Sequence, residues 1–284
     1  MNIIMKKDIV SDILKVRKED ANKSTYGRLA IVGGSLSYPG SILISAKAAL
    51  RTGVGYVALG IDQEIYNVVA CKIPEVIYEV FKSFKDRESL DSLLKYNSIV
   101  FGNGFVNKYA SFALDYLLRN YEGNLVIDAS GLDALKEVGL NNLTRSKANI
   151  ILTPHVGEFK RLFEVDVPSD LAKRQFLIEK IAKEYKCTID LKDAKSIVTN
   201  GSETFILENG NAGLAKAGSG DMLAGLVGGF ITHIKASSVE VTYFAHYMMN
   251  EASRLLAKDM SLHSFIASDI IDKIPLVLKR YEVK

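Results

Sequence analysis

Short apolar runs that end in glycine alternate along this chain with longer segments of helical spacing. Residues 29–32 are such a run. It leads into Gly33-Gly34-Ser35 and Tyr38-Pro39-Gly40-Ser41, and residues 42–52 continue with alanine-rich helical spacing. Strand, glycine turn and helix in that order open a doubly wound α/β sheet, where ligands sit at the carboxyl ends of strands. Residues 56–61 predict a second strand and 64–70 a short helix. After the break at Ile73-Pro74-Glu75, residues 76–81 predict a third strand. Residues 98–101 predict another, ending in Gly102-Asn103-Gly104. A helix over 109–119, a strand over 125–127 and a strand over 149–152 follow, with the next helix starting near Gly157. A helix over 169–185 precedes a strand over 187–191. Asn200-Gly201 between 196–199 and 203–207 is a hairpin signal, so the sheet should end in an antiparallel portion. Three helices close the chain, at about 221–234, 237–257 and 267–280, the last capped by Ser268-Asp269.

This alternation predicts an α/β fold with a mainly parallel central sheet covered by helices on both faces. No linker or repeat divides it, so one domain over residues 1–284 is expected. A composition of 48% hydrophobic and 24% charged residues supplies ample core for that domain. The net charge of +3 is too mild to argue for a nucleic-acid partner. The opening MNIIMKKDIV lacks the apolar run of an export leader, and no stretch reaches the ~20 apolar residues of a membrane span. Cys71 and Cys187 show no paired spacing and are expected to be reduced core residues of a cytoplasmic protein.

The chemistry centres on NAGLAKAGSGDMLAGLVGGF, residues 211–230. Glycines at Gly218 and Gly220 let backbone N–H groups close on an anion, and the helix behind them adds the positive end of its dipole. An aspartate facing a phosphate is repelled unless a metal or an incoming hydroxyl lies between them. Asp221 is therefore a candidate base for a hydroxyl that attacks a phosphoryl group. It would equally serve as a helix cap, and the loop alone leaves both readings open. Gly102-Asn103-Gly104 after a strand reads either as a ligand loop or as a tight turn. His155-x-x-Glu158 stands at a strand-to-helix corner, one turn apart. Glu158 suits a water-mediated Mg²⁺ contact, or charge compensation at the helix start. His155 suits a hydrogen-bond donor to substrate. The Walker lysine and zinc-type spacings are absent.

GSGDMLAG resembles the anion-hole loop of the ribokinase-like kinases, and the longer AGLAKAGSGDMLAG resembles one branch, the nucleotide-dependent NAD(P)H-hydrate dehydratases. Tyr26-Gly27-Arg28, the glycine turns after residues 29–32, Pro74-Glu75, Asp128-Ala129 with Leu132, and Thr153-Pro154-His155-Val156-Gly157-Glu158-Phe159 fit that branch. So do Leu191-Lys192-x-Ala194, His246 and Ala267-Ser268-Asp269-Ile270, and the resemblance spans about residues 23–280. Departures are Asp193 for a usual glycine, Asn103 for proline, Phe105-Val106 for leucine-glycine, and Lys216-Ala217 for threonine-glycine. Asp193 would repel a nucleotide phosphate unless a cation such as Lys216 lies close.

The resemblance implies repair of hydrated NADH or NADPH, in the S-epimer, with ADP or ATP as phosphoryl donor and Mg²⁺. Asp221 would be the catalytic base. Ser41, Gly102, Gly104, His155 and Asp221 would bind the hydrated cofactor. Lys192, Asp193, Ala194, Lys195 and Ser196, with Gly218, Ser219 and Gly220, would bind the nucleotide. It further implies a homotetramer, and an epimerase for the R-epimer on a separate chain. The alternatives are a ribokinase-like kinase of a small vitamin-precursor alcohol, or a nucleotide-binding relative that has lost catalysis.

Overall fold

The computed structural model describes Val10 and residues 13–282; Met1–Ile9, read above for a leader, lie outside the described residues. The strands are β1 (Arg28–Val32), β2 (Tyr56–Asp62), β3 (Ile77–Phe81), β4 (Ser98–Phe101), β5 (Asn124–Ile127), β6 (Asn149–Leu152), β7 (Thr188–Leu191), β8 (Ser196–Thr199) and β9 (Thr204–Leu207). They make one sheet in the order β3-β2-β1-β4-β5-β6-β7-β8-β9. Neighbours from β3 across to β7 pair in parallel. β8 is antiparallel to β7 and to β9, through the hairpin expected at Asn200-Gly201.

The helices are α1 (Pro39–Leu50), α2 (Tyr66–Ala70), α3 (Arg87–Asp91), α4 (Ala110–Asn120), α5 (Ser130–Val138), α6 (Asn141–Arg145), α7 (Val156–Phe163), α8 (Leu171–Tyr185), α9 (Ser219–His233), α10 (Ser238–Leu256) and α11 (Ala267–Tyr281). Strand side chains alternate between two cores because successive Cβ atoms point to opposite faces. Leu29, Ile31, Val100, Val126 and Ile151 pack with α1, α9, α10 and α11 on one face. Ala30, Val32, Phe101, Ile127 and Leu152 pack with α4, α5, α7 and α8 on the other. Both faces are dry, so the strands read as continuous apolar runs rather than alternating ones. Among the described residues, no helix is long and apolar enough to cross a membrane.

The strand order reverses at β1, which has β2 on one side and β4 on the other. Chains leaving β1 and β4 go to opposite faces, and a crevice opens between them at their carboxyl ends. Helix α9 runs toward this crevice in close contact with α1. A Cβ at Gly225 would stand 2.2 Å from the Ser45 carbonyl oxygen. Only glycine permits that approach, and it lets the Ser45 hydroxyl donate to the Asp221 carbonyl at 2.7 Å.

Several boundaries differ from the sequence expectation. α1 starts at Pro39, which suits a first helical turn, rather than at residue 42. α9 starts at Ser219, so Asp221 lies inside its first turn. α11 is entered from Ile266, whose N–H donates to Asp269 at 2.8 Å, and Ser268 is not its cap. Helices α3, α5 and α6 were not expected. Ser130-Gly131 looks like loop, and packing of Leu132 and Leu135 into the second core overrides that local preference. Cys187 is buried as expected, with burial pushing its thiol up to about 12, but Cys71 is exposed.

Candidate active site

The carboxyl ends of β4, β5, β6 and β7 each deliver a polar residue to one rim. Beyond β4, the chain turns sharply through Gly102-Asn103-Gly104-Phe105, closed by Phe105 N–H to Gly102 carbonyl at 3.0 Å. Beyond β5, a second turn runs Asp128-Ala129-Ser130-Gly131, closed by Gly131 N–H to Asp128 carbonyl at 2.9 Å. The two turns pack back to back. A Cβ on Gly102 would meet the Asp128 carbonyl oxygen at 2.1 Å. The tight-turn reading of the glycine pair is therefore correct, and the turn also carries a site residue, Asn103. Ala129 holds φ 49°, ψ −125°, a conformation normally reserved for glycine at the first corner of a type II′ turn.

Asn103 is fully buried, and its side-chain nitrogen donates to two carboxylates, Asp221 at 2.8 Å and Asp128 at 2.9 Å. Asp128 is also buried, and its other oxygen accepts from Lys192 Nζ and Thr153 Oγ1, each at 2.8 Å. Lys192 stands 3.9 Å from Glu158 as well. One lysine thus serves three carboxylates. Burial works against its charge, but Asp128, Glu158 and Asp190 outweigh burial and hold its ammonium above the ordinary lysine range. Gly220 lies on this cluster, its Cβ direction 3.3 Å from Lys192 Nζ.

Asp221 does not cap α9. The N-cap is Gly218, which makes no side-chain bond. Burial and the neighbouring Asp128 push the Asp221 carboxyl above its usual range, against hydrogen bonds from Asn103 and Ser41 and the charge of Lys192. The dipole of α9 favours the same ionised form. Asp221 is thus a carboxylate kept ionisable inside a partly dry site, which is the condition for a base that must change protonation state. Ser41 touches it from α1, and a Cβ on Gly104 would meet Ser41 Cβ at 2.8 Å, so Gly104 keeps that corner open.

His155 is the N-cap of α7. Its Nδ1 accepts from Gly157 N–H at 3.0 Å and Glu158 N–H at 3.2 Å, leaving Nε2 to carry the proton as a donor. Glu158 Oε2 accepts the His155 N–H at 2.8 Å and completes a capping box. The compensation reading of Glu158 is therefore met by one oxygen. Its other oxygen stands 3.5 Å from His155 Nε2. Among the described residues, no group of three or more His, Cys, Asp or Glu could hold a metal directly.

A cavity of about 680 Å³ opens beside this rim. Its lining mixes His155, Lys192, Ala194, Ser196 and Gly220 with the apolar side chains of Leu207, Leu223 and Met249. That mixed lining suits a molecule with both charged and apolar parts. Ser219 lines it, its N–H given to the Lys216 carbonyl at 3.3 Å. Asp193 also lines it, but Arg174 of α8 pairs with its carboxylate. Lys216 does not fill that role, since its ammonium donates to the Phe265 carbonyl at 2.5 Å. Lys195 pairs with Glu208 at 2.9 Å and stands apart from the residues lining the cavity. His246 lines the cavity with Nδ1 held by the buried Asp190 at 2.8 Å.

The sequence reading gave no role to Asp128, Asn103, Thr153 or Arg174. Asp128 carried a usable signal, a carboxylate closing a wholly apolar strand; Arg174, distant in sequence and on a polar helix, carried none.

Three comparisons bear on this geometry. A family model described as NAD(P)H-hydrate dehydratase matches residues 29–276. The ADP-dependent (S)-NAD(P)H-hydrate dehydratase of Neisseria meningitidis serogroup B is 33% identical over 222 residues, 77% of this chain and 74% of that protein. The bifunctional NAD(P)H-hydrate repair enzyme Nnr of Pyrobaculum aerophilum is 30% identical over 93% of this chain, which spans 53% of that protein. A crystal structure of the ADP/ATP-dependent NAD(P)H-hydrate dehydratase of Bacillus subtilis, co-crystallised with ATP and Mg²⁺, superposes with TM-score 0.85 at 27% identity, covering 96% of both chains. With a ribokinase-like sheet, a glycine loop at the start of α9 and a family match across nearly all of the described chain, this protein belongs to the NAD(P)H-hydrate dehydratase family.

Proposed function

We propose that this chain removes water from the S-epimer of hydrated NADH or NADPH, with ADP or ATP as phosphoryl donor and Asp221 as the base. The observation that carries the reading is the placement of Asp221, partly buried in the first turn of α9 and turned to Asn103 and Ser41 instead of capping its helix. In this reading the C6 hydroxyl of the hydrated ring gives its proton to Asp221 as its oxygen attacks the terminal phosphorus. The bond from that phosphorus to the nucleotide breaks, and AMP or ADP departs. The ring nitrogen then expels the new phosphate from C6, and loss of a C5 proton restores the double bond. Phosphate carries away the oxygen that hydroxide could not leave with.

The remaining residues divide the binding work. The Nε2–H of His155 and the Ser41 hydroxyl orient the hydrated ring, with Gly102 and Gly104 giving it room. Lys192, Ala194, Ser196, Ser219 and Gly220, which line the 680 Å³ cavity, would take the nucleotide, with Gly218 before them as the N-cap of α9. Asp193, neutralised by Arg174, no longer argues for lost catalysis. Mg²⁺ would be held through water at the Glu158 oxygen not used in the capping box, with nucleotide phosphates completing its shell. When bound there it would offset charge on the nucleotide phosphates. A homotetramer and a cytoplasmic location accord with this reading. An epimerase acting on the R-epimer completes the repair, supplied by a separate chain or fused as in the bifunctional relatives.

The test mixes enzyme, Mg²⁺ and hydrated NADH and follows reduced-nicotinamide absorbance with ADP and with ATP. Nucleotide-dependent recovery is expected. Asp221→Asn should lower turnover by roughly a thousandfold, within the range for a lost general base, while nucleotide binding by calorimetry persists. A variant that turns over at the wild-type rate would remove Asp221 from the mechanism.

A further inference from the structure

Asp221 and Asp128 repel one another across the rim, Asp128 buried and Asp221 partly so. What keeps them side by side is a single atom. Asn103 Nδ2 has two protons, and the distances of 2.8 Å and 2.9 Å spend one on each carboxylate. We propose that Asn103 is a positioning residue for the reaction, its side-chain amide tethering the Asp221 carboxylate to the Asp128–Lys192 pair so that the base faces the substrate hydroxyl.

Three observations carry this. The orientation of the amide is forced, since the reverse one would set its oxygen against two carboxylates. That oxygen is buried and has no partner, an unfavourable state that a side chain selected for shape alone would avoid. Finally, the backbone of the residue is held at its carbonyl. Gly34 N–H donates to the Asn103 carbonyl at 2.8 Å, and a Cβ at Gly33 would meet that oxygen at 2.4 Å. The turn that carries the side chain is thus fixed against the chain leaving β1. Its bonds also work against the upward push that burial and Asp128 exert on Asp221.

The inference rests on Asp221 being the base for its effect on rate, but not for its effect on titration. The experiment therefore reads both. Asp221 carboxyl titration is followed by carbon NMR in the free enzyme, and kcat/KM is measured against pH, for wild type, Asn103→Ala and the isosteric Asn103→Asp. In Asn103→Ala the Asp221 titration and the acid limb should both move up by about one pH unit, because a hydrogen bond to the ionised form is gone. Turnover should fall roughly tenfold as the carboxylate loses its orientation. Asn103→Asp should shift the titration in the same direction, since a third carboxyl replaces a donor. An unchanged Asp221 titration in Asn103→Ala overturns the tether, and so does a variant whose only change is a lower melting temperature. If Asp221→Asn keeps its turnover, the base assignment falls while the titration still decides the role of Asn103.

Discussion

Helix α9 carries a partly buried titratable group at each end, and the two ends behave differently. At its start, Asp221 sits among Asn103, Ser41, Asp128 and Lys192. At its close, His233 gives Nε2 to the Thr52 carbonyl at 3.1 Å and meets Tyr26 edge-on, with ring centroids 5.8 Å apart. Burial leads at both, raising the carboxyl and lowering the imidazole to about 4. The helix dipole favours the charged form at each end, but its ~1 kcal/mol cannot offset the ~3 kcal/mol that holds His233 neutral. At Asp221 two hydrogen bonds and a lysine join the dipole, and the opposing terms come closer to balance. Burial beside a neutral carbonyl and the like charge of Arg17 makes an inert group; burial inside a network of opposite charges and donors makes one that can change charge.

The strongest way to break this contrast is to remove the cation from the Asp221 end. Lys192→Met leaves Asp128 and Glu158 without their shared counter-charge and adds to the push on Asp221. Turnover should fall roughly a hundredfold, as for loss of one fixed electrostatic group in a water-poor site. The acid limb of kcat/KM should move to higher pH. Unfolding free energy should drop by about 3 kcal/mol, because a buried partner is left unpaired. If the acid limb stays in place, Lys192 does not tune Asp221 and the contrast rests on hydrogen bonds alone.

At the other end the test is stability against pH. His233 has a depressed folded-state pKa, so its stabilising effect is full above the unfolded value of 6.5 and fades as pH falls toward about 4. His233→Asn should flatten that slope, with the difference between the two proteins changing by about 3 kcal/mol across the window. Its turnover at neutral pH should match wild type, since His233 closes the helix end remote from Asp221. An unaltered slope would mean that His233 already titrates normally and that the two ends are not opposites.

The acidic end of this contrast was readable in the chain, and the His233 end was not. The parallel sheet, its antiparallel finish, the glycine loop and Asp221 all follow from local signals, because apolar runs and glycine turns report backbone needs directly. The partners of Asp221 were harder to read. Asn103 looked like part of a turn, which it is, and its second task depends on β4 and β5 being neighbours. Arg174 reaches Asp193 from a helix whose outward face gives no hint of it. Long-range polar pairs leave no periodic trace. Lys195, which the resemblance assigns to the nucleotide, pairs at the surface with Glu208 in this structure.

The smallest expected effect concerns how the acidic end is built. Ala129 occupies the corner of the turn that presents Asp128, at φ 49° and ψ −125°. A Cβ there strains the backbone by about 1–3 kcal/mol, while glycine would lose up to ~1 kcal/mol more in chain entropy on folding. The balance predicts that Ala129→Gly stabilises the protein by about 1 kcal/mol, a rise of a few degrees in melting temperature. Because the turn is also closed by the Gly131 N–H at 2.9 Å, Asp128 should keep its place and turnover should not change. A more stable variant with impaired turnover would mean that the strained corner, and not the hydrogen bond, sets where Asp128 meets Asn103. The acidic end would then depend on stored backbone strain, a device for which the neutral end of α9, where His233 has ordinary helical geometry, has no counterpart.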